Sequence, residues 1–194
     1  HLFLLSAGYP AQILSYNKML GQLLDAGNTT TLAHYVTLLE GAFLVSGVPL
    51  FSTGQVRQRA SSPKLVLWNN ALASALGAPS PDEALSDPAW RGRLVENAVG
   101  AHLLNGLSPS AFAVTYWRRG DEEVDFVVEH GRSLWAVEVK SGRTRKLSGL
   151  RAFRARFPTC RALVVGGEGV PLATFFETPP EALFGGKNRK LSPS

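Results

Sequence analysis

Between Tyr116 and Gly142 charged side chains recur at regular positions inside sequence that otherwise reads as β-strand. From Glu123 to Glu129, Val124, Phe126 and Val128 form one apolar face, while Glu123, Asp125, Val127 and Glu129 occupy the other. The pattern repeats from Leu134 to Lys140, where Trp135, Val137 and Val139 alternate with Ala136, Glu138 and Lys140. His130-Gly-Arg-Ser133 between the two runs is a hairpin signal. A two-residue loop at Gly131-Arg132 pairs Val128 with Trp135, which sets Asp125 opposite Glu138 and Glu123 opposite Lys140. Directly opposed carboxylates repel, so a bound cation is the natural partner for such a pair.

The elements around this hairpin read as follows. Residues from His1 to about Gly47 carry apolar side chains at helical spacing, as in Leu32, Tyr35, Val36, Leu39 and Phe43. Asp25-Ala26-Gly27 makes a turn, and Asn28, Thr29 and Thr30 offer N-caps to the helix that follows. Strand-like runs at Gly47–Ser52 and Lys64–Trp68, joined by polar Gln55–Ser62, complete a helix-turn-helix outline with a wing. The candidate recognition helix offers Thr29, Thr30, Thr31, His34 and Thr37 but no lysine or arginine, which argues for packing or oligomerisation rather than duplex reading. A short helix over Asn70–Leu76 precedes Gly77-Ala-Pro-Ser-Pro-Asp82, the strongest punctuation in the chain and the expected module boundary.

Asp87 and Pro88 mark the start of a helix running to about Leu104, with a broad apolar stripe from Leu94 to Leu104. Glu96 lies beside that stripe with no lysine or arginine one turn downstream, so it has no local ion pair. A strand over Phe112–Arg118 leads into the carboxylate hairpin. A basic amphipathic helix over about Leu147–Phe157 and strands at Arg161–Val165 and Leu172–Phe176 follow. Three antiparallel strands, a crossover helix and a further strand give an α/β (α+β) fold with a mixed sheet flanked by helices.

Composition narrows the class. With 194 residues, 45% hydrophobic and 18% charged, the chain suits one large or two small globular domains. No apolar run approaches a membrane span, and a soluble cytoplasmic protein is the expectation. The single Cys160 excludes an internal disulfide and reads as a small buried hydrophobe. His34 and His102 lack partners at ligand spacing and read as packing or solvent histidines. Net charge is +5, unevenly spread: no lysine or arginine separates Lys18 from Arg57, whereas Arg143 to Arg161 holds seven and no acid. The chain starts at His1 with its only methionine at Met19, and we expect a piece of a longer polypeptide.

A helical Glu96, then Asp125, then Glu138-Val139-Lys140 resembles the PD-(D/E)XK phosphodiesterase superfamily, the restriction-endonuclease-like fold, over roughly Asp87–Val165. A wider set of phrases resembles the uncharacterised C-terminal region of bacterial and archaeal AAA-type ATPases. These are Tyr35–Val45, Pro63-Lys64-Leu65, Glu96-Asn97-Ala98-Val99 and Glu123-Val124-Asp125-Phe126. The chain departs from that family at Asn69-Asn70-Ala71-Leu72, where an Asp-x-Gly-Leu phrase is usual. The chain has no Gly-rich phosphate loop, so the ATPase module that the resemblance implies would be expected upstream, outside this sequence.

The helix and strand pattern and the punctuation give a winged-helix-like module over 1–78 and a polar basic tail over 185–194, and the resemblance implies a nuclease-like domain over 79–184. The resemblance also implies that Asp125, Glu138 and the Val139 carbonyl hold Mg²⁺ or Mn²⁺, with Glu96 in the outer shell or on a second ion. Lys140 would orient water or stabilise charge on the phosphate. Arg118, Arg119, Arg143, Arg145 and Lys146 would contact a DNA or RNA backbone. Glu123, Glu129 and Arg132 read as solvated hairpin charges. The expected activity is metal-dependent phosphodiester hydrolysis. The alternative is a non-catalytic domain that binds nucleic acid, forms homo-oligomers or targets the ATPase.

Overall fold

The computed structural model describes residues 1–23, 27–52, 61–77, 80, 86–142 and 147–185. The chain is an α+β protein with two sheets, and it divides into two compact units, His1–Ala101 and His102–Ser194. Among the described residues no helix is long and apolar enough to cross a membrane.

The first unit runs α1 (Leu2–Ala7), β1 (Gln12–Ile13), α2 (Tyr16–Gln22), α3 (Thr29–Gly41), β2 (Val45–Val48), β3 (Lys64–Leu67) and α4 (Asn70–Leu76). It also holds most of α5, Pro88–Gly106. The three strands form an antiparallel sheet in the order β1-β3-β2. The core is apolar: Leu2, Leu14, Met19, Leu32, Val36, Val45, Leu65 and Leu67 pack together. Side-chain caps begin α3 and α4, with Asn28 Oδ1 accepting from the Thr31 N–H at 2.9 Å and Asn69 Oδ1 from the Ala71 N–H at 2.8 Å. Asp87 Oδ1 does the same for the Ala89 N–H at 2.8 Å, as its place before Pro88 predicts.

Two expectations for this unit change. The helical stretch before Gly47 is broken by β1, a strand too short to show a period, and β2 starts two residues early at Val45. Of the expected wing and first turn, residues 53–60 and Asp25-Ala26 lie outside the described residues.

The β3 ladder explains the Glu96-Asn97 phrase. Antiparallel pairing of Gln12 with Leu65 and Ile13 with Lys64 would, if continued, set Pro10 opposite Leu67. Proline has no N–H to give, and the chain turns away at Ala11, whose φ is 55°. The fully buried Asn97 fills the gap. Its Oδ1 accepts from the Leu67 N–H at 2.9 Å, and its amide donates to the Leu67 carbonyl at 3.0 Å and to Asn70 Oδ1 at 2.8 Å. One side chain thereby does the work of a strand residue. Beside it, fully buried Lys64 donates to Glu96 Oε1 at 2.6 Å. Glu96 lacks a local ion pair, as its own helix predicts, and takes its cationic partner from 32 residues away in sequence.

The second unit holds the end of α5, then β4 (Phe112–Arg119), β5 (Glu122–His130), β6 (Ser133–Lys140), α6 (Ser148–Arg156), β7 (Arg161–Gly166), α7 (Leu172–Glu177) and α8 (Pro180–Phe184). The sheet order is β4-β5-β6-β7, antiparallel except for the parallel β6–β7 pair joined through α6. Leu172–Glu177 is a helix rather than the expected strand. A short apolar run does not declare its period, and Pro171 immediately before it sets the backbone for a helix start. Phe175 is buried there, with His102 edge-on to both Phe175 and Phe176 and its Nε2 3.1 Å from the Thr178 carbonyl. His102 is thus a packing residue, and His34 is exposed on α3.

Candidate metal centre

The hairpin closes as its spacing predicts. His130 pairs with Ser133 around Gly131-Arg132, and Gly131 takes a φ of 57°, the left-handed value a two-residue loop with glycine first requires. Val128 faces Trp135 and Phe126 faces Val137. There the β5–β6 pairing stops.

Beyond that point each strand keeps only its outer neighbour. On one side β5 continues against β4 as far as Glu122 opposite Arg119, and on the other β6 continues against β7 as far as Lys140 opposite Gly166. The sheet forks between residues 122–125 and 138–140. A β-bulge accompanies the fork, because the register between β4 and β5 shifts from Thr115–Val127 to Trp117–Val124. Two residues of β5, Asp125 and Phe126, thereby oppose Tyr116 alone. Strict alternation hides such an insertion, so the expected direct pairings of Asp125 with Glu138 and of Glu123 with Lys140 lie beyond the observed register.

The carboxylates line this fork. Asp125 Oδ2 accepts from the Val139 N–H at 2.7 Å, so the aspartate side chain spans the gap that the backbone ladder leaves open. Half-buried Glu123, read from sequence as a solvated charge, sets a carboxylate oxygen within 4.8 Å of one from Asp125. On β6, Glu138 is 7% exposed and Lys140 Nζ lies 2.5 Å from its Oε1, the two side chains sharing one strand face. Helix α6 covers β5 at the same level. A Cβ on Gly149 would stand 1.8 Å from the Glu123 carbonyl oxygen, so only glycine lets the helix sit this close.

The structure therefore brings together Asp125, Val139, Glu138 and Lys140, and adds Glu123, whose bulge-dependent placement no sequence period signals. Glu96 stands in the first unit with Lys64. Arg118 and Arg119 are exposed at the end of β4, where Arg118 Nε donates to the Gly120 carbonyl at 3.3 Å. Arg143, Arg145 and Lys146 lie outside the described residues.

The donor set suits a hard cation. Two carboxylate oxygens up to 4.8 Å apart can both reach one ion at the roughly 2.0–2.6 Å typical of Mg²⁺ and Ca²⁺ ligands, and no sulfur or imidazole lies among them. Elsewhere on β5, burial raises the Glu129 carboxyl above its ordinary value. The charged form is disfavoured in the folded state, so the cost grows as pH rises from the unfolded carboxylate value through the folded one. Glu129→Gln should raise the melting temperature at pH 7, and the difference should vanish near pH 3. A gain that persists at pH 3 would show that packing, not ionisation, is responsible.

Two family models match the chain, one on each side of residues 84–90. Residues 91–173 match the family described as a domain of unknown function, DUF4143. Residues 1–83 match another described as a domain of unknown function, DUF8612. The DUF4143 match holds the fork, Glu123, Asp125, Glu138 and Lys140. None of the curated proteins matches the chain. The crystal structure of protein VC1899 from Vibrio cholerae is similar at 15% identity and a TM-score of 0.26, covering 91% of this chain and 44% of that one. The chain thus spans less than half the length of that protein.

Proposed function

We propose that the second unit is a Mg²⁺- or Mn²⁺-dependent phosphodiesterase module acting on DNA or RNA, carried at the C-terminus of an AAA-type ATPase. The observation that carries this reading is the forked sheet, with Glu123 and Asp125 on one arm and the Glu138–Lys140 pair on the other. Asp125, Glu138 and the Val139 carbonyl would hold the ion, with Glu123 as an added donor. The outer-shell role that the PD-(D/E)XK resemblance gives Glu96 is part of the same reading. Bound there, such a cation would polarise a phosphate oxygen and lower the pKa of a water.

The chain's own groups supply the rest. The Asp125–Val139 bond holds the aspartate across the fork, so its second oxygen is placed by the backbone of the opposite strand. Lys140 neutralises buried Glu138 and sets a positive charge on the face where negative charge grows on the phosphate. Arg118, Arg119, Arg143, Arg145 and Lys146 add sequence-independent attraction for the backbone. The test is to incubate the chain with single- and double-stranded DNA and RNA in Mn²⁺ or Mg²⁺. Cleavage of at least one substrate is expected, with Lys140→Ala slower by about 100-fold or more. Equal background from both proteins on all four substrates refutes catalysis by this chain.

A second reading, a non-catalytic assembly or targeting domain, is favoured by one feature of the first unit. Helix α3 and its end expose Tyr35 (45%), Leu38 (56%) and Phe43 (67%) without a lysine or arginine among them. Leu38→Glu should change the oligomeric state of the full-length ATPase under this reading and leave it unchanged otherwise.

A further inference from the structure

The basic residues after the hairpin are not equivalent. Between Glu138 and Glu168 the chain carries eight lysines and arginines and no acid. Of those described on α6 and β7, Arg156 lies over the Phe157 ring at 5.9 Å and Arg161 over Trp135 at 5.2 Å. Arg151 and Arg154 are exposed, and among the described residues their side chains have no ion pair or hydrogen bond. Spaced three apart, they are neighbours on the helix surface, with Cβ atoms roughly 5–6 Å apart. Both line one open groove of about 520 Å³, whose remaining walls are Leu147, Leu150, Ala155 and Pro158.

This groove combines two planar guanidiniums with an aliphatic wall. Guanidinium groups grip phosphate oxygens in pairs, and the aliphatic wall accepts the apolar face of a sugar or base but offers no ring for stacking. An acidic peptide would satisfy the charge alone. The nucleic-acid choice rests on continuity with the phosphodiesterase reading above, because the same helix is seated on β5 through Gly149 at Glu123. We propose that the Arg151–Arg154 groove binds successive phosphates of a nucleic-acid strand and leads it along α6. Neither arginine belongs to the set expected from the sequence to contact the backbone, and their role is binding, not chemistry.

The experiment uses the whole chain in EDTA, so that binding is separated from the metal centre. Fluorescence anisotropy with a short labelled single strand and its duplex is recorded over a salt series. The double variant Arg151→Gln/Arg154→Gln should lower the slope of log affinity against log salt by about 1.4 on the single strand and about 1.8 on the duplex, as two lost phosphate contacts require. Arg156→Gln, whose side chain already covers a ring, should keep the wild-type slope. An unchanged slope in the double variant, or no binding by the wild type at low salt, overturns the assignment. Competition by polyglutamate as strong as by unlabelled oligonucleotide would make the groove a peptide site and overturns it too. Cleavage is scored separately in Mn²⁺ and binding in EDTA, so failure of cleavage and failure of the groove are read separately.

Discussion

Asp125→Asn should abolish specific Mn²⁺ binding while leaving the fold intact. The amide can still present an oxygen to the Val139 N–H, now 2.7 Å from Asp125 Oδ2, so the bond across the fork survives and only the charge is lost. Loss of a charged ligand should weaken affinity by at least the ~100-fold that marks the upper range for groups surrounding a metal. Mn²⁺ titration followed by electron paramagnetic resonance measures the affinity, and thermal melting monitors the fold. Asp125→Ala separates the two roles, since it also strands a backbone donor and should cost about 1–3 kcal/mol of stability. If Asp125→Asn binds Mn²⁺ as the wild type does, Asp125 is a ladder residue and nothing more.

Asn97→Ala should be the most destabilising single truncation in the first unit, by about 3–4 kcal/mol in urea unfolding with an unchanged m-value. It removes three hydrogen bonds from a fully buried position and leaves the Leu67 N–H and carbonyl without their partner at the end of β3. Pro10 cannot replace it, which is why the cost is not recovered by extending β1. Asn69→Ala, which removes an exposed cap bonded at 2.8 Å, should cost only about 1 kcal/mol. Equal losses for the two variants would mean that the Asn97 amide does not complete the ladder.

What could be read from the sequence and what could not divide along a physical line. Gly131-Arg132 and the alternation on both sides fix a register by local rules, and Val128 does face Trp135. The bulge at Asp125-Phe126 escapes those rules, because an inserted residue changes which strand a side chain meets without changing the composition of either run. Lys64 and Glu96 escape for another reason: a lysine at the start of a short apolar strand gives no sign that it is fully buried, or that its partner lies 32 residues on. Asn97 stands out in the sequence only within the Glu96-Asn97-Ala98-Val99 phrase, and its meaning depends on Pro10, which lies just before β1 and far away in the chain. Leu172–Glu177 failed because strand and helix share the same short apolar run.

The fork also divides the second unit by rate of opening. Glu138 and Lys140 stay in register with Val164 and Gly166, and Val137 is paired on both sides, so this arm should exchange its amide hydrogens only through large-scale unfolding. Glu123 and Asp125 lie where β5 has lost β6 and carries a bulge, and they should exchange through small local openings. Any ligand held by both arms at once must slow the fast arm to the pace of the slow one, so amide exchange along Glu122–Asp125 would register occupancy of the fork without any turnover.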